Sequence, residues 1–204
     1  LRSLDLLLGI GGAAVYDIAD VFAGNCEPIR AIYPSPICSG VFVAPAPVSL
    51  EQLCAPEDMR LLCRGFSRYY DDVIIDCPAG VGQGFRTAVA GAEAALVVTT
   101  PDMVCARDAQ IVSRLLSEGE VPARLIINRL RALPVMKGRM PDVDEIIDTA
   151  GLQLLGILPE DEAVAVANAN GRPLPADCNA SLCFENIARR CLGQSVPLAR
   201  LEKM

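Results

Sequence analysis

One segment, residues 70–85, constrains the fold of this chain more than any other; it reads Tyr-Asp-Asp-Val-Ile-Ile-Asp-Cys-Pro-Ala-Gly-Val-Gly-Gln-Gly-Phe. The β-branched run at residues 73–75 is typical of a buried parallel strand. The run ends on Asp76, and a loop rich in proline and glycine follows. A buried strand that passes directly into such a loop indicates an open α/β sheet.

The same loop points to a class of ligand. In open α/β sheets, ligands bind at the carboxyl ends of the strands. A carboxylate at that edge, followed by a glycine-rich loop, suits a magnesium-nucleotide site. The alternative is a strand that ends in an ordinary Asp-Pro turn, and these residues alone leave both interpretations open.

Short apolar runs alternate with amphipathic segments along the chain. Strands are predicted at residues 41–43, 72–76, 95–100, 124–128 and 154–158. Helices are predicted at residues 15–22, 57–68, 85–92, 103–117, 142–150, 160–169 and 178–192. Asp142 and Glu145 would cap the fifth of these helices, and Gly151 would end it. The alternation predicts an α/β fold: a doubly wound, mainly parallel sheet with helices on both faces, in a single domain spanning residues 1–204.

The composition of the chain indicates the kind of hydrophobic core and argues against one class of partner. Hydrophobic residues make up 52% of the 204 residues but aromatic residues only 4%, so the core is aliphatic, as suits a helix-covered parallel sheet. The net charge of −7 argues against a generic nucleic-acid binder, because neutralising phosphates requires a basic surface. We therefore expect no nucleic-acid partner. Arg189 and Arg190 form the only adjacent basic pair, which we interpret as an ordinary solvated helix face.

Cysteine and histidine usage excludes several kinds of site. The nine cysteines are scattered without a Cys-x-x-Cys pair, and the chain has no histidine. A zinc site would have to gather thiolates from distant segments, and no Ser-His or Cys-His nucleophile can form. We interpret the cysteines as small, mostly buried apolar residues of a protein in a reducing cytosol.

The chain resembles the MinD/ParA family of P-loop ATPases in several ordered motifs. Residues 76–80, Asp-Cys-Pro-Ala-Gly, are similar to the family's Walker B and switch II segment, Asp-Ser-Pro-Ala-Gly. The order and spacing of all the matching segments favour the septum-site MinD branch over the ParA partition proteins. The other matching segments are Leu-Arg-Ser-Leu-Asp-Leu at 1–6, Val-Tyr-Asp-Ile-Ala-Asp-Val at 15–21, Val-Thr-Thr-Pro-Asp at 98–102, Ile-Ile-Asn-Arg at 126–129, residues 140–144, and Leu-Gly-Ile-Leu-Pro-Glu-Asp at 155–161.

The resemblance implies roles for particular residues. Asp76 would order Mg²⁺ through water, and Gly80 would let the loop approach the γ-phosphate of ATP. Asn128 and Arg129 would bind the adenine base by amide pairing and stacking, and the loop formed by Pro159, Glu160 and Asp161 would lie near the base. Without the resemblance, Asn128 is equally a strand-end cap, and the two acids are favourable residues at a helix N-terminus. We also expect Asp76 and Asn128 to face one nucleotide cleft.

A second set of residues is implied to form a partner or dimer surface: Arg2, Arg107 and Asp108. A plain surface charge pair is the alternative for Arg107 and Asp108. The family's C-terminus is a basic amphipathic helix that lies on the membrane, but residues 195–204 of this chain are too short to bind well alone.

The family's Walker A loop, Lys-Gly-Gly-Val-Gly-Lys-Thr, has no counterpart in this sequence. The cluster Gly-Ile-Gly-Gly at residues 9–12 lacks the lysine and hydroxyl residues that hold phosphates and metal, so we interpret it as a turn between helices. We expect an N-terminally truncated chain that lacks the P-loop and the first strand of the sheet. Such a chain would not hydrolyse ATP and would be poorly soluble or partly molten alone.

The expected function follows from the resemblance. An intact family member uses ATP and Mg²⁺, forms a homodimer, binds the inner membrane and recruits a division inhibitor, under the control of a topological regulator protein. We expect a cytoplasmic protein that is peripheral on the inner face of the cell membrane and helps to position the division septum. The alternatives are a ParA-like partitioning or flagellar-placement ATPase, and a non-enzymatic scaffold homologue without a P-loop.

Overall fold

The computed structural model describes residues 4–47 and 54–198, and these divide into two compact units. Unit 1 comprises the described residues up to 92 together with 167–173. Unit 2 comprises residues 93–166 together with 174–198. The single domain expected for residues 1–204 stays a prediction.

The structure gives the following helices and strands. The helices are α1 (Leu4–Leu7), α2 (Ile18–Phe22), α3 (Pro56–Phe66), α4 (Gln83–Ala90), α5 (Met103–Glu118), α6 (Ala132–Met136), α7 (Val143–Ala150), α8 (Glu162–Ala169) and α9 (Asn179–Cys191). The strands are β1 (Tyr33–Pro34), β2 (Phe42–Val43), β3 (Ala95–Thr99), β4 (Ala123–Leu130) and β5 (Leu154–Pro159). Short 3₁₀ turns lie at Gly11–Ala13 and Pro28–Ala31. None of the described helices is long and apolar enough to cross a bilayer.

Unit 2 is built on a parallel sheet in the order β3-β4-β5, with β4 in the centre. Val97 of β3 lies opposite Leu125 of β4, and Ile127 of β4 lies opposite Ile157 of β5. Leu125 and Ile127 are fully buried, as expected for a strand paired on both edges and covered by helices. Helix α5 packs on β3 and α7, and α9 packs on β5. The predicted α/β class with a parallel sheet is confirmed.

Helix α9 lies unusually close to β5, at Gly156. A Cβ atom added at Gly156 would lie 2.3 Å from Cγ1 of Ile187, which is closer than real Cβ atoms approach. Only glycine leaves room for the helix there, and Ile187 reaches the core formed with Ile126, Leu158 and Cys183.

Arg190, on the same helix, is not the solvated residue that the sequence indicated. The side chain is half-buried, and its guanidinium donates to two main-chain carbonyls. Nε and Nη2 donate to the carbonyl of Val196 at 2.9 and 2.6 Å, and Nη1 donates to the carbonyl of Leu155 in β5. The guanidinium therefore ties the segment after α9 to β5, which the sequence pattern of α9 did not indicate.

Unit 1 contains the antiparallel pair β1-β2 and the packed helices α3 and α4. The strand predicted at residues 72–76 is wrong for the described structure. Residues 72–78 have no assigned strand and no ladder partner among the described residues. Ile74 is 92% exposed, while Val73 and Ile75 are half-buried, and the Ile75 side chain lies against Gly91 after α4. A β-branched run forms a strand only when another backbone segment accepts its hydrogen bonds.

The remaining predictions differ from the structure mostly at element ends. The predicted helix at 15–22 begins only at Ile18, because the Asp17 carboxylate accepts from the backbone amides of Ala19 and Asp20 and so caps α2 there. The predicted cap of α7 is confirmed: Asp142 and Glu145 form a capping box, and the helix ends before Gly151. The glycine cluster at residues 9–12 forms a turn, as predicted.

The cysteines are less buried than expected. Cys54, Cys63 and Cys183 are buried, but the other six are half-buried or exposed. The expectation that most are buried is therefore wrong, because many lie near element ends rather than on core faces.

Candidate functional site

Two of the predicted site residues, Asp76 and Gly80, lie in unit 1, where residues 72–76 lead through a loop into α4. The Asp76 carboxylate is exposed and accepts no hydrogen bond from any residue that the structure describes. Gly80, four residues later, has φ +84°, a left-handed conformation that disfavours any residue with a side chain. The loop therefore offers an unengaged carboxylate next to a backbone turn that requires glycine.

Cys77, beside Asp76, is a poor nucleophile in this setting. Its thiol is exposed at the surface, yet the surrounding protein still desolvates it, and this raises the pKa of Cys77. The negative charge of Asp76 raises the pKa further. Both effects keep the thiol protonated at neutral pH, and only the thiolate attacks.

The chemistry of this loop fits Mg²⁺ rather than zinc. No group of three Cys, Asp or Glu side chains within the described residues is placed to hold a metal ion. Mg²⁺ does not need such a cage, because it keeps several waters and is bound by one or two carboxylates together with substrate phosphates. A single exposed carboxylate such as that of Asp76 is the donor set that this mode of binding uses.

In unit 2, a network at the end of β3 serves the fold. The Thr100 hydroxyl donates to Asp102 Oδ2 at 2.6 Å, and Asp102 Oδ1 accepts from the backbone amide of Cys105 at 2.9 Å. The Cys105 amide and then the Thr100 hydroxyl lower the pKa of Asp102, because both donate to its ionised form. Asp102 is therefore the N-cap of α5.

The end of β4 forms a bulge at Asn128 and Arg129. The pairing of β4 with β5 shifts register between Ile127 and Leu130, so these two residues fall out of the ladder. Arg129 has φ +58°, which is uncommon for a residue with a side chain. Its backbone amide donates to Asn128 Oδ1 at 2.9 Å. This bond orients the Asn128 amide group, and its Nδ2 has no partner among the described residues.

Glu160 lies beside this bulge and forms ion pairs with two arginines. Its backbone amide donates to the carbonyl of Leu130 at 3.0 Å. Arg129 Nη2 lies 3.1 Å from Oε1 of Glu160, and Arg131 Nε lies 3.3 Å from Oε2. Sequence reasoning missed Arg131. The available signal was its position two residues after Arg129, because residues two apart in a strand share a face. The left-handed backbone of Arg129 departs from that pattern.

Asp161 has a structural task in the loop after β5. Its Oδ1 accepts from the backbone amide of Ala163 at 2.9 Å, and its Oδ2 accepts from the amide of Ala180 at 3.2 Å. One carboxylate thus binds the amino ends of α8 and α9. This geometry matches the alternative interpretation, acids at a helix N-terminus, and any contact with a base stays a prediction.

The structure brings part of the predicted site together. Asn128, Arg129, buried Pro159, Glu160 and Asp161 converge at the carboxyl edge of the sheet of unit 2. Asp76 and Gly80 belong to unit 1, and the predicted common cleft for Asp76 and Asn128 stays a prediction.

The residues predicted for a partner or dimer surface are only partly described. Arg107 and Asp108 are exposed on α5 and form no ion pair with any described residue. Arg2 lies outside the described residues, as do residues 199–204 of the predicted C-terminal tail.

Comparisons with known proteins give the family of the chain. No protein-family model matches the sequence. The septum site-determining protein MinD of Bacillus subtilis is 38% identical over 209 aligned positions, which cover 100% of this chain and 78% of that protein. The solved structure of the MinC:MinD cell division protein complex of Aquifex aeolicus matches with a TM-score of 0.89 and 31% identity, over 97% of this chain and 81% of that chain.

A second solved structure supports the fold alone. It is the septum site-determining protein MinD of Pyrococcus horikoshii, complexed with Mg-ADP, at 24% identity and a TM-score of 0.82. The match covers 94% of this chain and 79% of that chain. The resemblance in the sequence motifs is confirmed by these matches along nearly the whole of this chain, and the chain belongs to the MinD family of septum site-determining proteins.

Proposed function

We propose that this chain acts in placing the division septum, as a nucleotide-dependent regulator that recruits a division inhibitor to the membrane. The observation that carries the proposal is the 38% identity to a septum site-determining protein along the whole chain. The solved complex of a relative with MinC supports a division inhibitor as the partner. A topological regulator protein would be a further partner.

The nucleotide would be ATP with Mg²⁺. Membership of the MinD family, whose intact members use ATP and Mg²⁺, supports this choice of ligand. Asn128, Arg129 and the loop of Pro159, Glu160 and Asp161 would take the base, because an amide can pair with its edge and a guanidinium can stack on its face. In the other unit, Asp76 would hold Mg²⁺ through water, and Gly80 would let the backbone approach the γ-phosphate.

ATP would drive homodimerisation and binding to the inner face of the membrane. Arg2, Arg107 and Asp108 would serve the dimer or partner surface. The exposure of Arg107 and Asp108, which form no ion pair with a described residue, supports this role. The 204 residues contain no Gly-Lys-Thr sequence, so we expect this chain alone not to hydrolyse ATP.

Titration with nucleotide, followed by NMR, tests the ligand because it detects even weak binding. ATP with Mg²⁺ should shift the side-chain amide signal of Asn128, whereas inorganic triphosphate should not. Asn128→Ala should weaken ATP binding about tenfold, because a hydrogen-bonding amide is lost at the base. Asp76→Ala should remove the dependence of binding on Mg²⁺.

The matched control is Arg139→Ala, which removes an exposed arginine outside both sets of residues. Equal binding of ATP and triphosphate, with no change in Asn128→Ala, would refute the base site.

Co-sedimentation with MinC and anionic lipid vesicles tests the recruitment. ATP should increase the amount of MinC in the vesicle pellet, and Arg107→Ala should reduce it. Binding to DNA in place of MinC and vesicles would instead support the ParA-like alternative.

A further inference from the structure

Glu160 and its two arginines form an arrangement that the proposed base site does not by itself require. Each oxygen of the Glu160 carboxylate contacts a different guanidinium: Oε1 contacts Arg129 and Oε2 contacts Arg131. These are the ion pairs of Glu160 within the described residues. The carboxylate is therefore held at two points, from two sides.

The backbone explains why both arginines reach the same carboxylate. Leu130 pairs with Pro159 in the ladder, and its carbonyl accepts from the amide of Glu160 at 3.0 Å. Arg129 and Arg131 flank Leu130, so each is one residue from the backbone anchor of Glu160. The bulge at Arg129, with its φ of +58°, turns that residue out of the ladder while Leu130 stays in it.

We propose that Arg131 is a positioning residue of the nucleotide site: by holding the second oxygen of Glu160, it fixes the guanidinium plane of Arg129 on which the purine base stacks. The inference rests on the proposed function and extends it to a residue without base contact. Arg131 acts only through Glu160.

The exposure of the three side chains shows why such a support matters. Arg129 is 67% exposed and Arg131 62%, while Glu160 is 41% exposed. A guanidinium so exposed samples many rotamers unless a partner holds it, and single exposed ion pairs hold weakly. A carboxylate fixed at its backbone and at one oxygen offers Arg129 a partner already in place. The loss of Arg131 should therefore have a modest effect, about two- to fivefold on base-dependent affinity.

The first experiment needs no ligand. Relaxation of the ¹⁵Nε–H group of Arg129 in the whole chain reports the order of its guanidinium. Arg131→Ala and Glu160→Gln should both increase the mobility of this group, and Arg131→Lys should restore most of the order by supplying one cation to Oε2. Arg139→Ala is the matched control and should change nothing, because Arg139 has no ion pair in the described part of the chain.

The second experiment compares ATP with inorganic triphosphate as ligands. Arg131→Ala should weaken ATP binding about two- to fivefold and leave triphosphate binding unchanged, and Arg131→Lys should recover the affinity for ATP. A purely structural role would lower the affinity for both ligands together, and that result would overturn the inference.

The outcomes separate the inference from the proposed function. If Asn128→Ala weakens ATP binding but Arg131→Ala changes neither the order of Arg129 nor the affinity, the inference is wrong and the proposed function stands. If the unaltered chain shows no preference for ATP over triphosphate, the proposed base site fails and the inference fails with it.

Discussion

Two segments of nearly the same sequence pattern adopt different states in this molecule. Residues 72–76 read Asp-Val-Ile-Ile-Asp, and residues 124–128 read Arg-Leu-Ile-Ile-Asn. The second segment lies in β4, with β3 and β5 on its two edges, and its Ile127 is fully buried. The first has no ladder partner among the described residues, and its Ile74 is 92% exposed.

The difference shows that a β-branched run specifies a capacity for pairing rather than a strand. Both segments end on a short polar side chain, and both are rich in residues that favour extended backbone. What separates them is the presence of neighbouring backbone to accept and donate hydrogen bonds. The polar ends differ accordingly: Asn128 is held by the bulge of a paired strand, while Asp76 lies on an unpaired loop.

Amide hydrogen exchange gives the largest expected contrast between the two segments. The amides of Ile126 and Ile127 should exchange only on global or near-global unfolding, on the order of 10³ times more slowly than those of Ile74 and Ile75. Mass spectrometry or NMR on the isolated chain measures both. Similar protection of the two segments would show that residues 72–76 do have a ladder partner.

Truncation of one isoleucine in each segment gives the next largest effect. Ile127→Ala should lower the free energy of unfolding by about 2–5 kcal/mol, because it leaves a cavity in a fully buried position. Ile74→Ala should change it by less than about 0.5 kcal/mol, since that side chain is already in water. Urea unfolding of both variants measures the difference. A large cost for Ile74→Ala would mean that its side chain is buried in solution.

Two acids, Asp102 after β3 and Asp76 at the end of residues 72–76, give the smallest effect. Asp102→Ala should cost about 1 kcal/mol, because α5 loses its N-cap, whereas Asp76→Ala should cost less than about 0.5 kcal/mol. Urea unfolding near neutral pH compares the two variants, and equal costs would contradict the assignment of Asp102 as the cap.

The stabilisation that Asp102 provides as the N-cap of α5 depends on pH in a defined direction. The fold lowers the pKa of Asp102, through the Cys105 amide first and the Thr100 hydroxyl second. Its stabilisation is therefore complete above the unfolded pKa of about 3.9 and disappears as the pH falls through the lower folded value. The difference in unfolding free energy between the unaltered chain and Asp102→Asn should shrink over that acidic range. A difference that grows on acidification would show the opposite sign of pKa shift.

Sequence patterns were sufficient for the elements whose signals are local. The α7 capping box needs only Asp142 and Glu145, and the amphipathic pattern of α5 needs no distant partner. The predicted strand at 72–76 failed because pairing depends on residues far away in sequence. The short helices α1 and α6, at 4 and 5 residues, hold too few positions to show a helical period.

The candidate site was predictable only in part for the same reason. The residues at the ends of β4 and β5 were identified from their motifs and do converge at one edge of the sheet of unit 2. Arg131 was missed because its role depends on a bulge that brings it beside Glu160, and a bulge leaves little trace in composition. The double capping by Asp161 joins positions nineteen residues apart, which no local pattern reports.

Arg190 has a consequence for which substitutions the chain tolerates. Its guanidinium binds carbonyl oxygens of residues 155 and 196, and every amino acid carries such an oxygen. The side chains at those two positions take no part in these hydrogen bonds, although Leu155 also packs against the core. The residue at position 190 does matter, because the planar guanidinium of arginine carries several N–H groups that donate to both carbonyls. A lysine ammonium lacks this geometry and cannot reach the two separate carbonyls. One arginine thus anchors a stretch of chain through that stretch's backbone atoms alone.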